Sequence, residues 1–463
     1  MDEQGFAPDL AGLAGLVQAR GGRVVLYWGP VMDDGGATLN DLFGPGLKGF
    51  PHGHAPVARR DIAALGWHAL DGRLPLPLAV LKREALDHNL AWMQAFVRER
   101  GIDLAPHGKT TMSPQLFARQ LEAGAWGLTF ATVTQLAVGV AAGARRNLIA
   151  NQVLGDADLA GIQALLQAHG GLRIVFLVDS LAQLALIDAW FAAHPASQPF
   201  EVLLEIGVEG GRCGCRTPRA AATLARALHA SAAVRLAGIE CYEGLAAQDH
   251  HADDQTYANA LMDRVEAIAQ LCAAEQLFDT EEVLMSAGGS AIFDLVAGRL
   301  KPALGRPVRG LLRPGCYLTH DHGHYRRLLA RVAERCGCRS TLQPALEVWA
   351  AVQSRPEPGL AILAVGRRDL SFDIDLPIPF ARAARGCLRP GAVPPGWRVT
   401  GLNDQHAYLR WDPADEADQA PAPVVGERIG LGISHPCTTF DKWHWMPVVD
   451  EDYRVVDAVT LHF

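Results

Sequence analysis

The feature that most constrains the fold is a regular alternation of short apolar runs and longer amphipathic segments, which begins near residue 78. The short runs are rich in valine, isoleucine and leucine, and the longer segments carry apolar residues at helical spacing. This pattern is typical of a parallel sheet covered by helices, because parallel strands need long crossover connections. Strands are predicted near 127–133, 147–153, 173–179, 200–206, 234–240 and 282–286, and helices at 158–169, 181–194, 218–229 and 254–276.

Six to eight such units over about 250 residues favour a closed (β/α)8 barrel of the TIM type. The alternative is an open, doubly wound sheet, but no G-x-G-x-x-G follows the first strand, which weakens its dinucleotide-binding version. Beyond about residue 328, short apolar runs between glycines and prolines predict a β-rich domain. We therefore predict an N-terminal extension of unassigned role over 1–74, a barrel over 75–328 and a C-terminal β domain over 329–463.

The composition excludes several classes of function. The net charge of -8 comes without a basic stripe, so we expect no nucleic-acid partner. The acidic start, M-D-E-Q-G-F, does not resemble a secretory signal, and no apolar run approaches the ~18 residues that span a bilayer. The nine cysteines lack the density of a disulfide scaffold. We expect a cytoplasmic enzyme that acts on a small molecule and has no membrane partner.

Lys109 lies in the stretch L-A-P-H-G-K-T-T-M-S-P, between an apolar run and a helix start. Ser113 and Pro114 make a good N-cap and first-turn pair, so we place Lys109 on a strand-to-helix loop. Such loops bind cofactors at the carboxyl ends of parallel strands. The residue is either a solvated charge or a lysine whose lowered pKa lets it form a Schiff base. Pyridoxal phosphate is the commonest cofactor that uses such a lysine.

Two glycine-rich stretches follow predicted strands. M-S-A-G-G-S, residues 285–290, lets backbone N–H groups approach a phosphate, with Ser286 and Ser290 as additional donors; the alternative is a tight turn. G-G-R-C-G-C-R, residues 210–216, holds Arg212 between glycines. This arginine is suited to the pyridine nitrogen, the phosphate or a substrate carboxylate, unless it is a solvated turn residue.

The C-terminal domain contains I-S-H-P-C-T-T-F-D-K-W after a predicted strand. In extended backbone, which Pro436 favours for the residue before it, His435 and Cys437 point to the same side and suit one metal ion. Imidazole and thiolate together favour zinc. The alternative is a buried cysteine beside a hydrogen-bonded histidine. His406, in L-N-D-Q-H-A-Y-L, is a further candidate in the same domain.

Together these motifs resemble one family, the pyridoxal-phosphate enzymes of the alanine-racemase fold (fold type III). Within it they resemble the branch of D-serine dehydratases and D-threonine aldolases, over roughly residues 75–463. P-H-G-K-T at 106–110 is similar to the family's P-H-x-K-T around the Schiff-base lysine, and H-P-C at 435–437 to the metal pair of the dehydratases. G-x-R-x-G at 210–214, S-x-G-G-S at 286–290, R-P-G-C-Y at 313–317 and N-D-Q-H at 403–406 fall in the family's order.

The resemblance implies a role for each matching residue. Lys109 would carry pyridoxal 5'-phosphate and act as the base at the substrate α-carbon, and His406 would be a second catalytic residue near the metal or the substrate. His435 and Cys437 would bind Zn²⁺. The implied cofactor contacts are His107, Lys109, Arg212, Tyr242, Ser286, Gly288, Gly289, Ser290 and Tyr317.

The implied reaction is elimination of the β-hydroxyl of D-serine, or of a related D-3-hydroxy amino acid, to a 2-oxo acid and ammonia. The alternative is retro-aldol cleavage to glycine and an aldehyde, but aldolase relatives tend to carry aspartate where Cys437 stands. A racemase needs a second base that the sequence does not offer, and the second domain argues against a non-catalytic cofactor carrier. Relatives also imply a homodimer.

The sequence departs from the family pattern in two places. G-I-E-C-Y-E-G-L, residues 238–245, resembles the family's G-x-x-x-Y-x-G but has Glu243 where relatives often carry histidine. If this side chain faces the site, it disfavours a substrate with a β-carboxylate, such as 3-hydroxyaspartate. The extension over 1–74 matches no part of the pattern.

Overall fold

The chain alternates strands and helices through the barrel segment and forms mainly strands after it. The computed structural model describes residues 42–244, 251–289, 291–337, 340–414 and 422–463. The strands are β1 (Leu42–Phe43), β2 (Val57–Ala58), β3 (Leu78–Lys82), β4 (Asp103–Leu104), β5 (Leu128–Phe130), β6 (Arg146–Gln152), β7 (Arg173–Val178), β8 (Phe200–Ile206), β9 (Val234–Cys241), β10 (Val283–Ala287), β11 (Val308–Leu312), β12 (Leu346–Glu357), β13 (Leu360–Leu363), β14 (Ile378–Ala383), β15 (Gly391–Ala392), β16 (Arg398–Leu402), β17 (Ala407–Arg410), β18 (Arg428–Gly432), β19 (Trp445–Val449) and β20 (Val455–Thr460). The helices are α1 (Arg59–Ile62), α2 (Arg83–Glu99), α3 (Pro114–Glu122), α4 (Val133–Ala141), α5 (Asp156–Ala168), α6 (Leu181–Ala193), α7 (Pro218–Ala230), α8 (His251–Ala274), α9 (Phe293–Ala297), α10 (His324–Cys336) and α11 (Cys437–Phe440), with 3₁₀ turns at Ala63–Leu65 and Gly108–Thr110.

Eight parallel strands form the predicted barrel, which confirms the α/β fold class. They neighbour one another in the order β4-β11-β10-β9-β8-β7-β6-β5. The two ends of this order meet just beyond β4, where a bridge joins His107 to Thr129 and the Thr129 N–H donates to the Pro106 carbonyl at 2.8 Å. The barrel is therefore nearly closed, and the loops that follow its strands gather at one end.

Apolar side chains fill the interior of this barrel. Successive side chains of a strand point to opposite faces, so one set packs inside and the other packs against the helices. The interior cluster consists of Ala105, Trp126, Leu148, Val175, Leu177, Leu203, Ala237, Leu284 and Leu311. All of them are buried, so the interior is a packed core beneath the strand ends rather than a channel.

Side-chain caps start the helices that follow the barrel strands. Ser113 accepts a hydrogen bond from the Leu116 N–H at the start of α3, with Pro114 in the first turn, as predicted. Thr132, Ser180 and Thr217 cap α4, α6 and α7 in the same way. These caps fix where each loop ends, including the loop that carries Lys109.

A second, mainly antiparallel sheet forms the predicted β-rich part. Its main path is β15-β14-β18-β12-β13-β17-β16, and β3, β19 and β20 lie beside it. β3 pairs with β12 and β19, so Leu78–Lys82 belongs to this sheet, although the sequence places it at the start of the barrel. The first barrel strand is β4. The predicted division at residues 74 and 328 stays a prediction.

Residues 42–74 pack onto the second sheet. The ring centroid of Phe50 lies 5.4 Å from that of Trp445 and 5.5 Å from that of Trp67. Residues 1–41 of the predicted extension lie outside the described residues. Across the described ranges, none of the helices combines the length and the apolar character that crossing a bilayer requires.

Candidate active site

A layer of polar side chains lies at the carboxyl ends of the barrel strands. It continues the inward-facing positions of the apolar interior: Glu205 stands two residues after Leu203, and Arg313 two residues after Leu311. The same offset places His107 after Ala105, Asp179 after Leu177 and Ser286 after Leu284. Because parallel strands end at the same edge, these side chains converge at one mouth of the barrel.

Arg313 is the buried centre of this polar layer. Its guanidinium donates to Glu240 and to the Ser286 hydroxyl, and both Arg313 and Glu240 are buried. Burial raises the pKa of Glu240, while the charge of Arg313 opposes that rise. Ser286, which we predicted as a phosphate ligand, therefore faces Arg313. The sequence motifs gave no role to Arg313 or Glu240.

Glu205 stands beside Glu240 in the β8–β9 register. Burial, and then the neighbouring Glu240, raise the pKa of Glu205 to about 8. The ligand atoms of Glu205, Asp179 and Cys213 lie within 4.8 Å of one another. In the absence of a cation, this environment favours the protonated form of Glu205. The group is a second metal candidate beside the imidazole-thiolate pair.

Lys109 lies on the 3₁₀ turn after β4, with its side chain exposed. Gly108 anchors the turn, because a Cβ there would lie 2.5 Å from the Phe130 ring and 2.9 Å from the Phe117 ring. The turn is held by close packing beneath it, while the amine stays accessible. This arrangement is suited to a nucleophile that reacts with a ligand in the barrel mouth.

His107 precedes this turn and favours its neutral form. Burial lowers its pKa well below the usual range, and the positive charges of Lys109 and Arg313 add to the effect. Its Nδ1 atom is buried and has no hydrogen-bond partner among the described residues. Leaving a buried polar atom unpaired is costly, and a polar ligand beside Lys109 would pair it.

Gly288 and Gly289 follow β10 and present successive N–H groups. Both donate to the carboxylate of Glu243, with N···O distances of 2.8 Å from Gly288 and 2.5 Å from Gly289. Gly289 has a φ of +87°, and a Cβ on Gly288 would lie 2.1 Å from the Tyr242 ring. Both positions therefore require glycine. The loop binds an anionic group where we predicted a phosphate; Ser290 lies outside the described residues.

The structure brings Tyr242 and Arg212 to this glycine loop. The guanidinium carbon of Arg212 lies 5.0 Å from the centroid of the Tyr242 ring, which in turn covers Gly288. Tyr317 is placed differently, because it is buried and its hydroxyl accepts a hydrogen bond from Gln120 Nε2 of α3 at 3.2 Å. The hydroxyl of Tyr317 is thus already engaged by the chain.

His435 and Cys437 come from the second sheet and reach the barrel end. The Cys437 sulfur lies 3.2 Å from the Thr110 hydroxyl and 3.6 Å from the Cys316 sulfur. Thr110 directly follows Lys109 in the chain. The predicted metal pair and the predicted Schiff-base lysine therefore border the same site. A narrow cleft beside Cys316 is lined by residues that include Gly289 of the glycine loop, Pro314 and Gly315.

Cys437 is stabilised as a thiolate. The hydrogen bond from Cys316 is the main cause that lowers the pKa of Cys437 well below its usual range, and His435 adds to it. Burial lowers the pKa of His435, but Cys437 and Asp373 outweigh burial and raise it to about 9. A thiolate beside an imidazolium needs only to exchange a proton for a cation to become a metal site.

Asp373 orients the imidazole of this pair. Its Oδ2 atom accepts a hydrogen bond from His435 Nδ1 at 2.5 Å, and its Oδ1 accepts one from the Thr438 hydroxyl at 2.8 Å. With Nδ1 engaged, Nε2 is the ring nitrogen left for a metal. A carboxylate behind a metal-binding histidine fixes the ring in this way in many proteins. No motif of the sequence marks Asp373.

The backbone of the H-P-C motif differs from the extended geometry that we predicted. Pro436 has φ -56° and ψ -45°, and Cys437 begins α11. The proline ring fixes φ near the value of a helical first turn, so Pro436 starts a helix instead of continuing the strand. His435 and Cys437 therefore meet around a turn rather than by alternation along a strand.

His406 lies in the turn between β16 and β17 and is half-buried. Its carbonyl accepts a hydrogen bond from the Asn403 N–H at 2.8 Å, and the turn packs against the backbone of residues 366–368. Among the described hydrogen bonds, none joins its ring to Lys109 or to the metal pair. A catalytic role for His406 stays a prediction.

Comparison with known protein families agrees with this geometry. The alanine racemase N-terminal domain matches residues 81–321, and a serine dehydratase domain matches residues 345–449. The fold and the site thus define a barrel protein of the alanine-racemase type. The chain belongs to the alanine racemase N-terminal domain family, in the branch that contains D-threonine aldolase and D-threo-3-hydroxyaspartate dehydratase.

Three relatives show how this branch divides. The chain is 30% identical over 380 residues to the D-threo-3-hydroxyaspartate dehydratase of Delftia sp. (strain HT23), covering 79% of this chain and 92% of that protein. It is 27% identical over 377 residues to the D-threonine aldolase of Arthrobacter sp., covering 81% and 89%. The crystal structure of D-threonine aldolase from Filomicrobium marinum matches with a TM-score of 0.68 at 26% identity, over 84% of this chain and 95% of that one. Similarity alone therefore does not separate dehydratase from aldolase.

Proposed function

We propose that this protein is a pyridoxal-phosphate- and zinc-dependent lyase of D-amino acids. It would eliminate the β-hydroxyl of D-serine, or of a related D-3-hydroxy amino acid, and give a 2-oxo acid and ammonia. The observation that carries the proposal is the 3.2 Å approach of the Cys437 sulfur to the Thr110 hydroxyl. This contact puts a metal-binding type of pair beside the residue that follows Lys109. The D-hydroxy amino acid lyases among its relatives support the same class of reaction.

The barrel mouth fits the proposed cofactor. The exposed amine of Lys109 is available for covalent attachment, the N–H groups of Gly288 and Gly289 suit a phosphate, and the unpaired Nδ1 of His107 suits a polar ring substituent. Bound pyridoxal phosphate supplies delocalisation of the negative charge that develops at the substrate α-carbon. Lys109 itself would also take the α-proton, because its amine is the basic group at the point of attachment.

The metal pair supplies what the departure of the β-hydroxyl needs. Hydroxide is a poor leaving group, and a bound zinc ion would supply Lewis-acid stabilisation of the charge that develops on the departing oxygen. His435 Nε2 and the Cys437 thiolate would hold the zinc, with Asp373 fixing the ring from behind. Zinc is preferred to magnesium or calcium because the donors are nitrogen and sulfur. One of the similar solved structures is a D-threo-3-hydroxyaspartate dehydratase in which a cysteine is replaced by alanine, in the metal-free form.

A retro-aldol reaction is the second candidate. In that reaction a base takes the proton of the β-hydroxyl and the Cα–Cβ bond breaks, which gives glycine and an aldehyde. Similarity to the Arthrobacter aldolase over 81% of this chain favours it. We prefer elimination because Cys437 matches the dehydratase form of the metal pair.

We also propose that the protein is a homodimer, that its substrate is a small D-amino acid and that it is located in the cytoplasm. Four large apolar side chains are exposed along the segment next to Asp373, where a second copy of the chain would cover them. They are Phe372, Ile374, Leu376 and Ile378, with exposed fractions of 38% to 41%. A monomer in sedimentation equilibrium would contradict the dimer.

Product analysis tests the proposed reaction directly. The purified protein is incubated with D-serine, D-threonine or D-threo-3-hydroxyaspartate, with and without a chelator, and with L-serine as the control. We expect chelator-sensitive pyruvate from D-serine and no product from L-serine. Glycine and acetaldehyde from D-threonine would move the assignment to an aldolase. Faster turnover of D-threo-3-hydroxyaspartate than of D-serine would show that Glu243 does not exclude a β-carboxylate.

Replacing Asp373 with asparagine should weaken zinc binding by about 10- to 100-fold, because the imidazole loses the carboxylate that orients it and raises its basicity. Zinc affinity is measured by competition with a chromophoric chelator. Asp375→Asn is the matched control, since Asp375 lies two residues away and pairs with Arg327 instead of His435. Equal zinc affinity in both variants would remove Asp373 from the metal site.

A further inference from the structure

The carboxylate of Glu243 fills the place that the proposed function gives to the cofactor phosphate. Its side chain is 0% exposed, and its two oxygen atoms take the N–H groups of Gly288 and Gly289 separately. Backbone N–H groups on successive residues of a turn form a concave site that binds one anionic group. In this structure that group belongs to the chain itself.

The Glu243 carboxylate and the cofactor phosphate exclude each other at this loop. Each backbone N–H carries one hydrogen, and both hydrogens already point to Glu243. The positive φ of Gly289 and the contact between Gly288 and the Tyr242 ring fix the direction of these N–H groups. A phosphate oxygen therefore gains the same bonds only after the carboxylate leaves.

We propose that Glu243 is an internal competitor of the cofactor phosphate, which occupies the glycine loop in the unloaded protein and is displaced when pyridoxal phosphate binds. The inference rests on the proposed cofactor. It makes Glu243 a determinant of cofactor affinity, with a role that a neutral residue at this position would not have.

The place of Glu243 in the chain allows its side chain to change rotamer without loss of strand pairing. Glu243 follows the end of β9 rather than lying within it, so a change of its rotamer breaks no sheet hydrogen bond. Tyr257 offers a second partner, because its hydroxyl is buried and has no hydrogen-bond partner among the described residues. Burial, and then the charge of Glu243, raise the pKa of Tyr257 to about 12, which is consistent with the two groups being close.

Ligand titrations of the full-length protein after cofactor removal test the proposal. Pyridoxal phosphate, pyridoxal and inorganic phosphate are each titrated into the wild type, Glu243→Gln and Glu243→Ala. We expect both variants to bind pyridoxal phosphate at least about tenfold more tightly, the factor that applies when the open loop is a tenth or less of the unloaded population. Inorganic phosphate should also bind both variants more tightly than the wild type, by a similar factor. Pyridoxal lacks the phosphate and should bind all three proteins equally.

Glu209→Gln is the matched control for charge. Glu209 is exposed on the loop after β8 at the same end of the barrel, and it has no described contact with the glycine loop. Its removal changes the net charge by the same amount and should leave all three affinities unchanged. The proposal would be overturned in favour of a general charge effect if Glu209→Gln gained as much phosphate affinity as the Glu243 variants. The same holds if the Glu243 variants gained as much affinity for pyridoxal as for pyridoxal phosphate.

Weaker or unchanged phosphate binding in both Glu243 variants would also overturn it, since Glu243 would then support the loop instead of blocking it. The glutamine variant keeps the shape of the side chain, so it remains informative if the alanine variant does not fold. The phosphate titration is independent of the proposed reaction. A wild type that takes up no pyridoxal phosphate would contradict the proposed function, whereas unchanged phosphate affinity in the variants contradicts only the competition.

Discussion

Replacing Lys109 with alanine is expected to abolish covalent attachment of the cofactor and to lower kcat/KM at least about a thousandfold. The same amine is proposed to attach the cofactor and to take the α-proton, and general base catalysis alone contributes about 10²- to 10⁴-fold. The fold should be preserved, because the Lys109 side chain is exposed while Gly108 and Thr110 are buried. The change in unfolding free energy should stay within about 0.5 kcal/mol, as for other exposed positions.

The attachment site is measured by borohydride reduction of the loaded protein, followed by peptide mass spectrometry and absorbance of the bound cofactor. Lys301→Ala is the control, since Lys301 is exposed and precedes β11 at the other end of the barrel. The control should keep both the absorbance and the activity. A reduced cofactor found on Lys301, or a Lys109→Ala protein that keeps the absorbance of a lysine-bound cofactor, would refute the assignment of Lys109.

The barrel could be predicted because its sequence signals are local. β8 was predicted at 200–206 and is Phe200–Ile206, and α7 was predicted at 218–229 and is Pro218–Ala230. In each case an apolar run of strand length or a capped amphipathic segment specifies its own structure. The fold class follows from repeating these local units.

The place of β3 could not be predicted by the same reasoning. Leu78–Lys82 is an apolar run like the barrel strands, but it pairs with β12, which lies far along the chain. Nothing in five apolar residues specifies a distant antiparallel partner. The predicted barrel segment, 75–328, therefore includes a strand that pairs in the second sheet, and the sequence analysis named no strand at 78–82.

The candidate site residues that the sequence indicates lie in short motifs, and the residues that it does not indicate depend on distant partners. Lys109 and the H-P-C motif stand out because reactive residue types occur beside glycine and proline residues that mark turns and helix starts. Asp373 lies 62 positions before its partner His435, and Glu240 lies 73 positions before Arg313. Spacings of this size carry no signal in one sequence.

A signal for part of the polar layer was present in the alternation of the strands. Glu205 and Arg313 each stand two residues beyond an inward-facing leucine, so extending the period of two past the strand end reaches the barrel mouth. Glu243 shows the limit of this reasoning. Its departure from the family pattern was visible, but its partner loop lies 45 positions away, and only the structure shows their contact.

Replacing Cys437 with alanine is expected to remove bound zinc and to lower β-elimination from D-serine at least about a hundredfold, because Lewis-acid stabilisation of the leaving oxygen is worth several kcal/mol. Cofactor absorbance should not change, since Lys109 and the glycine loop are left intact. Zinc is measured by mass spectrometry after dialysis, and elimination is measured as pyruvate formation.

Cys316→Ala is the matched control for this prediction, since its sulfur lies 3.6 Å from that of Cys437. The hydrogen bond to Cys437 and burial raise the pKa of Cys316, whereas the same hydrogen bond lowers the pKa of Cys437. The Cys316→Ala variant should lose less zinc affinity than Cys437→Ala, because it loses only the hydrogen bond that lowers the pKa of Cys437. Equal zinc loss in the two variants would make Cys316 a third ligand, and full elimination by the metal-free wild type would remove zinc from the mechanism. Retention of both zinc and activity in Cys437→Ala would place the metal elsewhere, with the Asp179, Glu205 and Cys213 group as the next candidate.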